Sequence, residues 1–101
     1  MITSRKPRLN PQIVSEVDKV LRKELSDYNY QGADIEPGLD HDGDPVLFID
    51  VRYLRSDVPV TAESLIRVLR DVIEVLGQLG EERFPHIRHH FDERQEVADR
   101  R

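Results

Sequence analysis

Residues 61–80 constrain what this chain can fold into more than any other stretch. Apolar side chains stand at Leu65, Ile66, Val68, Leu69, Val72, Ile73, Val75, Leu76 and Leu79, while Glu63, Arg67, Arg70, Asp71, Glu74 and Gln78 are confined to a narrow polar stripe. The three- and four-residue spacing predicts a helix, capped by Thr61, with Glu63 at its positive end and Gly77 and Gly80 marking its close. A helix on one side of a small sheet needs an apolar stripe somewhat over ~100° wide, and this one approaches half the circumference. The first helix of the chain or another molecule must cover the remainder.

With 101 residues there is room for one domain. Asn10-Pro11 is a helix start, an N-cap residue followed by a proline where a missing N–H costs nothing. Ile13, Val17, Val20, Leu21, Leu25 and Tyr28 continue it as an amphipathic helix expected to stop near Tyr30-Gln31-Gly32. The period then changes to two. Ala33, Ile35 and Leu39 alternate with polar residues along a short strand that Pro37 confines to an edge or a bulge. Asp42-Gly43 signals a hairpin turn, and Val46 to Leu54 forms its second strand, with Leu47, Ile49, Val51 and Tyr53 on one face. Ile87, His89 and Phe91 alternate with Arg88 and His90, which favours a third strand over a helix in Phe84–Phe91.

The expected fold is therefore α+β: helix, β-hairpin, helix, third strand (α-β-β-α-β), with both helices on one face of a small three-stranded sheet. A crossover through the second helix would allow the last strand to lie beside the first, order 2-1-3, although Pro37 argues against that place. The organisation reads as a flexible basic arm (1–9), a single domain (10–92) and a charged tail (93–101). The expected core is Ile13, Val17, Leu21, Leu25, Ile35, Leu47, Ile49 and Val51, with Leu65, Leu69, Val72, Ile73 and Leu76 from the second helix. Val46, Phe48, Leu54, Val68, Val75 and Leu79 are then left over on the outer sides of their elements, as candidates for an interface with a second copy or a protein partner.

Charge and composition exclude several functions. Arg5, Lys6 and Arg8 place +3 in the first eight residues, which leaves −8 on residues 9–101 of a chain whose net charge is −5. An acidic body is ill suited to a dedicated polyanion binder, so nucleic acid is an unlikely partner. The absence of cysteine removes disulfides, thiolate metal sites and cysteine nucleophiles, and is consistent with a cytoplasmic location. No apolar run suits a secretory signal or a membrane span.

Candidate sites for chemistry are weak. Asp40, Asp42 and Asp44 alternate like a calcium loop, but the sixth and twelfth positions hold Pro45 and Val51 where an EF-hand needs Gly and Glu, so a solvated hairpin turn is the better reading. Asp50, two residues before Arg52, resembles the carboxylate spacing of metal-dependent nucleases. His86 and His90 share a face in either a strand or a helix and, with Asp50, are the candidate metal ligands. The three histidines of this segment could also form a pH-sensitive surface. No nucleophile elbow or phosphate-cradling loop is present, so no cofactor is expected and the chain leans away from catalysis.

Gly77-Gln78-Leu79-Gly80 matches the GxxG tetrapeptide by which type II KH domains clamp a nucleic-acid backbone. The order helix, strand, strand, helix, glycine kink, strand over roughly residues 11–91 is similar to that of the ribosome-binding factor A family. The resemblance implies an RNA-binding module in which Gly77 and Gly80 hold the backbone and Arg5, Lys6 and Arg8 add charge. The residues after the tetrapeptide are Glu81, Glu82 and Pro85, where such a loop carries basic residues and leads into a helix.

Overall fold

The computed structural model describes residues 9–54 and 58–91. Helix α1 spans Pro11–Glu24; the Asn10 side chain accepts a hydrogen bond from the Gln12 amide at 2.9 Å, and Arg22 and Lys23 sit in the last turn, where the helix dipole favours cations. Ile13, Val17, Leu21 and Leu25, spaced by four, are its buried seam. A short 3₁₀ turn, Ser26–Tyr28, follows, and Asn29 at φ 60° supplies the left-handed exit. The helix thus ends before the expected Tyr30–Gly32, because the 3₁₀ turn and the left-handed Asn29 already redirect the chain.

Strand β1 (Tyr30–Leu39) pairs antiparallel with β2 (Pro45–Tyr53), and β3 (Phe84–His90) pairs parallel with β2, giving the sheet order β1-β2-β3. The alternative order 2-1-3 is not adopted. Pro37 cannot donate to a second ladder, so β1 stays at an edge, and the most apolar strand takes the centre. Its residues Val46, Leu47, Ile49, Val51 and Tyr53 are all buried. The hairpin turn is held from inside: Asp40 Oδ1 accepts from the Asp42 and Asp44 amides, both at 2.9 Å, and Gly43 adopts φ 85°.

Helix α2 spans Ala62–Gln78, and the Thr61 hydroxyl accepts from the Ser64 amide at 3.1 Å as its N-cap. At the other end Gly80 has φ 76°, its amide donates to the Gly77 carbonyl, and the Glu81 amide donates to the Leu76 carbonyl at 2.9 Å, a Schellman closure. Both helices lie on one face of the sheet, where α1, α2 and Leu47, Ile49, Val51 and Tyr53 of β2 form a single core.

The rotation of α2 differs from the expected one. Val68, Val72 and Leu76 face the sheet, with Val75 and Leu79 half-buried beside them, whereas Leu69 and Ile73, expected inside, are exposed and Leu65 is only half-buried. Polar contacts set that rotation. Arg67 Nε donates to Glu24 of α1 at 3.0 Å, so this flank of α2 is bound to α1. The buried Ser64 hydroxyl lies 3.0 Å from the Tyr28 hydroxyl. Ile35, also expected in the core, is half-buried because it lies on edge strand β1.

Candidate functional site

The rotation of α2 relocates the surface on which association could occur. Of the interface candidates read from the sequence, Val46 and Val68 are buried within the chain at 2% and 0% exposure, so they are core residues. Val75 and Leu79 pack against the core, and Phe48 is half-buried. Only Leu54, at the end of β2, is freely exposed among those six, at 55%. The uncovered apolar surface is instead the flank of α2 away from α1, where Ile66 is 62%, Leu69 36% and Ile73 42% exposed.

Below that flank lies β3, an edge strand beyond which no further strand pairs among the described residues. Leu65 and Leu69 of α2, with Phe84, Pro85, His86 and Ile87 of β3, line an open groove between helix and edge. Phe84, 52% exposed, stands at its mouth. A helix flank and an adjoining unpaired edge, both apolar, can exclude water only by receiving another molecule.

The opposite face of the sheet carries the charged candidates. Arg88 clamps Asp50 with two hydrogen bonds of 2.7 and 2.9 Å, and His90 Nε2 lies 2.8 Å from the same carboxylate. The Arg88 bonds, and secondarily that of His90, hold the Asp50 carboxyl below the usual range. The Arg88 guanidinium also lies over the Phe48 ring, 4.5 Å from its centroid, and His86 meets the edges of Phe48 and Phe84. Arg52 pairs with Asp34 across the hairpin. Asp50 and Arg52 therefore each have a separate cross-strand partner, as on the solvent face of an ordinary sheet.

His86 and His90 do share this face, but four residues along a strand separate them by roughly 13 Å, too far for one ion. Asp50 is brought to His90 and not to His86. His89 points to the helix side, where its Nδ1 lies 2.7 Å from the Tyr53 hydroxyl. Burial, and secondarily the nearby His90, lowers its pKa, while burial raises that of Tyr53 to about 12. Among the described residues, the one cluster of three acidic or histidine ligands able to converge is Asp40, Asp42 and Asp44, with ligand atoms within 4.8 Å of one another. Asp40 in that cluster already accepts the two turn amides.

The residues read as a possible nucleic-acid clamp are not brought together. Gly77 lies inside α2 and Gly80 terminates it, and Glu81 beyond them is held by Arg83 through bonds of 2.7 and 2.9 Å. The chain then enters β3, without the further helix that the resemblance implies. Arg5, Lys6 and Arg8 lie outside the described residues. No described helix is long and apolar enough to cross a membrane. No protein-family model, curated protein or solved structure matches the chain.

The exposed triad Ile66, Leu69 and Ile73 was visible in the sequence as part of an over-wide apolar face. Its outward aspect was not, because the face itself does not say which of its sectors meets the sheet.

Proposed function

We propose that this chain is a non-catalytic association module of the cytosol, which binds a protein surface through the outer flank of α2 and the adjoining edge of β3. One observation carries the reading: after the sheet and α1 are satisfied, α2 still presents Ile66, Leu69 and Ile73 to solvent as a connected stripe. Large apolar side chains exposed together on a regular helix are the usual mark of a contact surface, whereas scattered ones are not. The acidic and histidine residues on the other face of the sheet are paired with one another or stacked, which suits a structural surface better than a reaction centre.

The test compares wild type with Ile66→Glu/Ile73→Glu, whose substituted side chains are solvent-exposed and should leave the monomer folded by circular dichroism. Wild type at tens of micromolar should sediment above 11.8 kDa, or bind a co-purifying protein that the double variant releases. A compact 11.8 kDa species that binds nothing lost in the double variant overturns the reading.

A further inference from the structure

We draw no further inference here: the strongest candidate, the open groove between Leu65 and Leu69 of α2 and the edge strand β3, belongs to the surface already described, and nothing in the structure shows what covers it.

Discussion

Substitutions on the two sides of α2 separate folding from association. Val68 and Ile66 are two residues apart and point about 160° away from each other, Val68 at 0% exposure and Ile66 at 62%. Val68→Ala removes two methyl groups from a sealed core, at about 0.8 kcal/mol each for transfer plus a cavity term, so the monomer should lose about 2–3 kcal/mol and its midpoint should fall by about 10–15 °C. Ile66→Ala gives up at most the covered third of its side chain, under about 1 kcal/mol, and the better helix propensity of Ala offsets part of that. For binding through the α2 flank the order reverses. Ile66→Ala removes contact from the proposed binding surface, about 1–2 kcal/mol, which is a roughly 5- to 30-fold weaker Kd, whereas Val68→Ala leaves the stripe intact. Thermal midpoints should be read at the lowest workable protein concentration, so that mass action adds no stability, and association should be followed by sedimentation equilibrium. Equal midpoint losses for the two variants, or a Kd that responds to Val68→Ala and not to Ile66→Ala, would refute the assigned rotation of α2.

Three further outcomes follow from local structure. A Cβ at Gly38 would stand 2.6 Å from the Phe48 ring, which Arg88 covers, so Gly38→Ala should cost about 1–2 kcal/mol in a denaturant titration; a neutral result would mean that the ring yields freely. Asp40→Ala strips the acceptor from the Asp42 and Asp44 amides and should lower the thermal midpoint, whereas Asp40→Asn should restore much of it by keeping an oxygen there; equal losses would show that the acceptor is not what holds the turn. Burial depresses the pKa of His89, so the unfolded chain binds a proton more readily than the folded one as pH falls through 6.5. Stability should therefore be flat above that pH and decline from about 6.5 towards the lower folded pKa, and His89→Gln should flatten the slope between pH 6.5 and 5, where Asp50, with its lowered pKa, is still ionised. An unchanged slope in His89→Gln would assign the loss to other groups.

Local signals in the sequence carried much of the architecture. Asn10-Pro11, Asp42-Gly43 and Thr61 each fix backbone geometry through their own atoms, and each occupies the place expected of it. The alternation of β2 likewise identified Leu47, Ile49, Val51 and Tyr53 as one buried face. What depended on long-range pairing was less legible. The rotation of α2 is set by Glu24, forty-three residues from Arg67, and by Tyr28, thirty-six from Ser64, so an apolar face that wide left several rotations open. Val46 read as surplus because its alternation puts it on the outer face of the sheet, yet the central position of β2 buries it. His86 and His90 illustrate the reverse problem: a shared face is visible in the spacing, but the ~13 Å between them follows only once the segment is known to be a strand.

The mass of the chain and of anything bound to it, followed by sedimentation equilibrium from low micromolar to near-millimolar concentration beside the Ile66→Glu/Ile73→Glu variant, tests most directly whether the bare flank of α2 is a contact surface. A reversible rise above 11.8 kDa that the double variant abolishes is the expected behaviour. An 11.8 kDa particle throughout that range would mean that Ile66, Leu69 and Ile73 are tolerated in water and form no contact surface.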